Sequence, residues 1–123
     1  MSLAGDDDPK YQSGQPPAPD GVAAGVIVSP DARRANRIPP GQARTRKWPV
    51  LHWGHVPTVS PEHWRLRVDG LVEHPLAFTW DEFQALPRVK VFADFHCVTR
   101  WSRLGNLWEG VSVRELLERV GVK

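Results

Sequence analysis

The sequence predicts an α+β fold, mostly β with short helices, on three observations. Residues 89–98 alternate, with Val89, Val91, Ala93, Phe95 and Cys97 on one side and Lys90, Phe92, Asp94, His96 and Val98 on the other, the period of a half-buried strand. A second alternation sets Trp64, Leu66 and Val68 against Arg65, Arg67 and Asp69 and stops at Gly70. Two capping boxes, Thr79 with Glu82 and Ser112 with Glu115, each open a short helix.

Taken in order, residues 1–45 hold most of the prolines and glycines, three aspartates at 6–8 and few large apolar groups. Such a segment buries too little surface to offset its ordering entropy, so a disordered arm is expected, with residues 46–123 as the folded domain. Every charged residue from Arg33 to Lys47 is positive, and the stretch is broken by Ile38-Pro39-Pro40-Gly41. It reads as a solvated linker, and no nucleic-acid partner is expected from it. Residues 48–57 are too aromatic for a linker and too punctuated for a helix, which leaves an extended segment turning at Gly54.

Leu71-Val72 briefly resumes the strand before Pro75, and the helix opened by Thr79 is expected to end at Pro87. After the 89–98 strand, Leu104-Gly105-Asn106 is read as a turn. Ser112 then starts a helix whose apolar face is Val113, Leu116, Leu117 and Val120, with Gly121 as C-cap. An apolar helix this near the last residue, with no strand after it, leads to the expectation that the fold is incomplete.

The formal net charge of +2 over 123 residues demands no strongly acidic partner. Six tryptophans, all past residue 45, argue for a packed body or a pocket wall. One cysteine makes no internal disulfide, no apolar run is long enough to span a membrane, and Arg33-Arg34 follows its apolar stretch at 22–28 instead of preceding it, the wrong order for export. A cytoplasmic location is expected.

Cys97 has two readings from pattern alone: a small hydrophobe packed at a strand end, or a thiolate presented to a metal or substrate, favoured by the nearby cations Arg100 and Arg103. A zinc site from His52, His55, His96 and Cys97 lacks paired-cysteine spacing. A cysteine hydrolase would need its base from His52 or His55, because His96 points to the opposite strand face.

The order Trp64-Arg65-Leu66-Arg67-Val68-Asp69-Gly70-Leu71-Val72, Pro75, the 79–87 helix, then Phe95-His96-Cys97-Val98-Thr99-Arg100-Trp101-Ser102 and Trp108-Glu109-Gly110-Val111 resembles the molybdopterin-binding domain of the sulfite oxidase family. The resemblance spans residues 48–122 and corresponds to the N-terminal half of that domain. It implies a sulfite-oxidase-like fold, a molybdenum-molybdopterin cofactor, and Cys97 as the thiolate ligand to molybdenum. It further implies cofactor contacts from His52, Trp53, Gly54, His96 and Thr99, and an entrance lined by Arg100, also a catalytic candidate, and Trp101. Oxygen-atom transfer on a small oxo-substrate or sulfoxide follows, with a separate haem or flavin partner, since no Cys-x-x-Cys-His is present.

Two departures narrow the substrate. Typical sulfite oxidases carry arginine, asparagine and histidine where Leu51, His52 and Trp53 stand before Gly54, so sulfite would lack one positive partner. Trp101-Ser102 resembles instead the bacterial protein-methionine-sulfoxide reductase branch. The alternative to an enzyme is a catalytically silent fragment or interaction module without cofactor.

Overall fold

The computed structural model describes residues 18–123, which divide into two compact units. The first joins the described residues up to Leu51 with Lys90–Trp108, and the second joins His52–Val89 with Glu109–Lys123. Helices and strands are numbered in chain order, and the fold is mostly β with two short helices. No helix among the described residues is long and apolar enough to cross a membrane.

The first unit is built on a hairpin. Strand β5 (Val89–His96) runs into β6 (Trp101–Gly110), and a connection this short joins only antiparallel neighbours. Two-residue strands flank the pair, β1 (Ile27–Val28) parallel to β5 and β2 (Ala43–Arg44) parallel to β6, giving the order β1-β5-β6-β2. Registers place Val28 opposite Phe92 and Ala43 opposite Trp101.

This corrects the disordered arm and the solvated linker for the described part of 1–45; residues 1–17 of that arm lie outside the described residues. The physical reason is that order here does not come from a core of the segment's own. Its backbone borrows partners, with amides of Ser29, Ala43 and Thr45 donating to carbonyls of Phe92, Arg100 and Ser102 at 2.8–3.0 Å. One ion pair then fastens it: Arg37 Nε and Nη2 donate to the two Asp94 carboxylate oxygens at 2.8 and 2.5 Å, with side chains 9% and 0% exposed. Pro30 opens the 3-10 turn Pro30–Arg33, where a missing amide is harmless.

The alternation in β5 is real, but its two faces are used differently from the expectation. Phe92, on the face read as polar, is buried, whereas Phe95, on the face read as apolar, is 38% exposed. Arg37 of the preceding segment bonds Asp94 on that side, and residues of 31–40 line a cavity with His96. The expected turn at Leu104-Gly105-Asn106 does not occur, because β6 runs straight through. Gly105 instead sits at φ 69°, and its amide leaves the ladder to donate to Asp94 Oδ1 at 2.9 Å.

The second unit follows the sequence closely. Strands β3 (Arg65–Val68) and β4 (Leu76–Thr79) pair antiparallel, Leu66 opposite Phe78, and the connection turns at Gly70 with φ 96°. Helix α1 (Trp80–Gln84) begins at the Thr79 hydroxyl, which accepts the Glu82 amide at 3.2 Å; Glu82 reaches back to that hydroxyl. Helix α2 (Val113–Val120) is capped by Ser112 and ended by Gly121 in the left-handed region at φ 65°. Of its expected apolar face only Val120 is fully buried, while Val113 and Leu117 are 68% and 41% exposed. After the helix, Val122 pairs antiparallel with Val72, completing a core of Val72, Phe78, Leu86 and Val120.

Candidate active site at the Cys97 turn

Cys97 follows the last residue of β5 and begins the turn into β6. Its amide donates to the Trp101 carbonyl at 2.9 Å, and its carbonyl accepts the Arg100 amide at 3.1 Å. These two bonds close a three-residue loop whose last residue must be left-handed, a place usually filled by glycine. Here it is Arg100, at φ 70°, the one non-glycine with positive φ among the described residues. An arginine in that region carries strain of about 1–3 kcal/mol, and it projects from the tightest bend beside the thiol.

Cys97 is half-buried and not sealed in the core, so the packed-core reading is not the arrangement found. The Thr99 hydroxyl donates to Cys97 Sγ at 3.2 Å. That bond, with the turn amides of Thr99 and Val98 and against a slight opposing effect of burial, lowers the thiol below its ordinary value. The expectation credited Arg100 and Arg103 with this effect. Arg103 is engaged elsewhere, its guanidinium 4.8 Å from the Trp48 ring centroid and bonded to Asn106 and the Arg46 carbonyl.

Behind the turn lies a polar chain that the sequence reading missed. Gln42 Nε2 donates to the Cys97 carbonyl at 3.1 Å, which leaves its Oε1 to accept the Ser102 hydroxyl. Ser102 is wholly buried, and its hydroxyl lies 2.8 Å from His96 Nδ1, within hydrogen-bond distance. Nothing in the sequence marks Gln42, because its partners stand 55 and 60 residues away.

Ahead of the turn lie the aromatic rings. Trp101 is 4% exposed and stacks on Phe95 with centroids 5.5 Å apart; its Nε1 is buried and without a hydrogen-bond partner among the described residues. An unmet buried donor of this kind costs about 1–3 kcal/mol until an acceptor reaches it. Trp48 meets Phe95, Trp101 and Trp108 edge-on at 5.4–6.0 Å.

The sequence-predicted residues therefore sort as follows. Cys97, Thr99, Arg100 and Trp101 are gathered in one turn. His96 faces the other side of β5, where Asp31, Asp94 and His96 offer ligand atoms within 4.8 Å of one another. That group does not include Cys97, and both Asp94 oxygens are already held by Arg37, so neither a cation there nor the zinc set already disfavoured by its spacing gains support. His52, Trp53 and Gly54 belong to the second unit, where they form a bend of their own: Gly54 has φ 70°, His52 Nδ1 lies 2.8 Å from the Gly54 carbonyl oxygen, and Trp53 is fully exposed.

Comparison with known proteins adds three findings. The family described as oxidoreductase molybdopterin binding domain matches residues 53–123. An uncharacterized oxidoreductase, YuiH of Bacillus subtilis (strain 168), is 44% identical over 91 residues, 73% of this chain and 46% of its own length. A putative protein-methionine-sulfoxide reductase subunit, YedZ1 of Azospira oryzae, is 36% identical over 94 residues, 74% of this chain and 36% of its own length. The chain thus spans less than half the length of these curated relatives. No solved structure matches it.

Proposed function

Because this chain belongs to the oxidoreductase molybdopterin-binding domain family, of the sulfite oxidase type, we propose that Cys97 is the thiolate ligand of a molybdenum-molybdopterin cofactor in an oxygen-transferring oxidoreductase. The observation that carries this reading is the half-buried Cys97 at the hairpin turn, its thiol biased toward the anion by the Thr99 hydroxyl and the turn amides. A soft, deprotonated sulfur at an accessible strand tip is the donor that a sulfur-coordinated metal takes. The unmet Trp101 N–H beside it fits the same group, since a bound ligand brings acceptors to a donor that has none. When bound, the cofactor supplies two-electron transfer of an oxygen atom between a substrate and water.

The chain's own residues divide the remaining work. Thr99 and the amides of residues 98 and 99 favour the thiolate form of Cys97. Gln42, tied through Ser102 to His96, fixes the Cys97 carbonyl and with it the direction of the side chain. Arg100 offers a guanidinium to the oxygen of an incoming small oxo-substrate, by a bidentate pair where that substrate is an anion. His52 and Gly54 are proposed as further cofactor contacts, a role the residues match only by family resemblance. The methionine-sulfoxide reductase name of one relative makes a sulfoxide the favoured substrate, and a separate haem or flavin protein is proposed as electron partner because the chain has no Cys-x-x-Cys-His. A single free thiol suits a reducing, cytoplasmic setting.

A second reading, a cofactor-free interaction module, draws on the open apolar face at Val113 and Leu117. Metal analysis separates the two. Protein made in a host that synthesises the cofactor is expected to carry molybdenum and pterin, and Cys97→Ser to lose most of the metal. Absence of molybdenum from the wild-type chain and from a longer parent, with self-association on size exclusion, favours the module.

A further inference from the structure

On the side of β5 away from Phe95, His96 opens onto a cavity that the site at the Cys97 turn does not use. Asp31, Arg34, Asn36, Arg37 and His96, with a wall of Ile38 and two prolines, enclose about 330 Å³, and all of this lining belongs to the first unit. That volume stands at the lower end of the range that holds small ligands, about 300–1,000 Å³. Of the lining, only His96 meets the polar chain behind the turn, through Nδ1 on Ser102. Its Nε2 is the ring atom left for an occupant.

The fixed charges around the cavity come to one of each sign. Arg37 is held by Asp94, and those two cancel. Asp31 and Arg34 remain, and the 3-10 turn sets them side by side: the Arg34 amide donates to the Asp31 carbonyl at 3.2 Å, and residues three apart in such a turn share a face. Yet they do not pair with each other. Among the described residues the exposed Arg34 side chain has no partner, and the Asp31 carboxylate accepts only the Ser29 hydroxyl.

From this arrangement we infer that the cavity binds a free α-amino acid with an apolar side chain. Arg34 meets the carboxylate in the forked geometry that guanidinium and carboxylate share, and the second oxygen of Asp31 accepts from the ammonium. Asn36 and His96 Nε2 offer hydrogen bonds to the same polar end, while Ile38 and the prolines cover the side chain. A plain oxyanion is the poorer occupant, because the Asp31 carboxylate repels it. A divalent cation is poorer as well, because Arg34 repels it and Arg37 already holds both Asp94 oxygens. A molecule carrying both charges satisfies both sides of the cavity at once.

Calorimetric titration of the full chain tests this and needs no molybdenum. L-Leucine is added to about 10 mM, beside 4-methylpentanoate, which lacks the ammonium, isoamylamine, which lacks the carboxylate, and inorganic phosphate. Leucine is expected to give a saturable heat and to bind about tenfold or more tighter than any of the other three. Arg34→Gln, at an exposed position, is expected to weaken leucine about tenfold. Asp31→Asn is expected to weaken leucine by a similar factor and to tighten 4-methylpentanoate, since the repulsion is gone. Circular dichroism checks the fold of both variants; should Asp31→Asn disturb the turn, Asn36→Ala is expected to weaken leucine about threefold.

No saturable heat with leucine, or binding of 4-methylpentanoate or phosphate as tight as that of leucine, overturns the inference. So does leucine binding left unchanged by Arg34→Gln. None of these outcomes touches the ligation of molybdenum by Cys97, so the two readings fail separately.

Discussion

The two units reach order by opposite routes. In the second, each tryptophan that packs does so against near neighbours in sequence: Trp64 lies 5.2 Å from Trp80 and 5.3 Å from Phe83, across one hairpin and the helix that follows it. Its long reach is confined to backbone pairing between 71–74 and 120–123, where Val72 meets Val122 and the amides of Glu73, His74 and Lys123 donate to the carbonyls of Gly121, Val120 and Leu71. The first unit is held by reach, with Arg37 on Asp94 and Gln42 on Ser102, each about sixty residues apart. It also tolerates a left-handed arginine, an unmet indole N–H and three half-open rings. Features left strained or unsatisfied cluster in the unit with the candidate site, while the other unit satisfies its own caps and core.

Ion pairs give the sharpest way to break this comparison. Arg37→Ala leaves a buried carboxylate without its partner and is expected to cost about 3–5 kcal/mol in urea unfolding. Glu115→Ala removes the exposed Arg119 pair of the second unit and is expected to cost about 0.3–0.5 kcal/mol. Equal effects contradict the account of how the first unit is ordered.

Acid titration follows from the same pair. Burial alone raises the Asp94 carboxyl, but the Arg37 hydrogen bonds, the Gly105 amide and the Arg37 and His96 charges together take it below its ordinary value. The folded chain therefore binds this proton less readily than the unfolded chain. The contribution is full above the unfolded value of about 3.9, and it is lost as pH falls from there through the lower folded value. Urea midpoints measured down to about pH 2 are expected to show that loss, and Asp94→Asn, though destabilised throughout, to show a shallower one.

Two smaller changes act at the turn itself. Thr99→Val removes the hydroxyl bond to Cys97, and iodoacetamide labelling of metal-free protein near neutral pH is expected to slow several-fold as the thiol rises toward its ordinary value of about 8.5. An unchanged rate assigns the bias to the turn amides alone. Arg100→Gly relieves the left-handed strain and is expected to raise stability by up to about 1 kcal/mol while removing the guanidinium from the entrance. A loss of stability shows that the arginine side chain holds the turn.

The same contrast explains what the sequence made legible. Both capping boxes, the β3 strand, the Gly54 bend and the placement of Cys97 where β5 stops depend on residues within a few positions of one another, and each was read correctly. The helix C-cap at Gly121 belongs with them. What escaped was long range. The prolines of 18–45 pointed away from order because the partners that impose it lie beyond residue 90, and Gly105 looked like a turn because its diverted amide answers to Asp94 on another strand. The residue type of Cys97 was legible; Gln42, which holds its carbonyl, was not.

The central claim is that the sulfur at the tip of β5 is a metal ligand. X-ray absorption at the molybdenum edge, on the chain purified from a host that makes the cofactor, tests it most directly. The account predicts one more sulfur in the first coordination sphere of wild-type protein than in whatever molybdenum Cys97→Ser retains. Full metal content in Cys97→Ser with an unchanged sulfur count contradicts it.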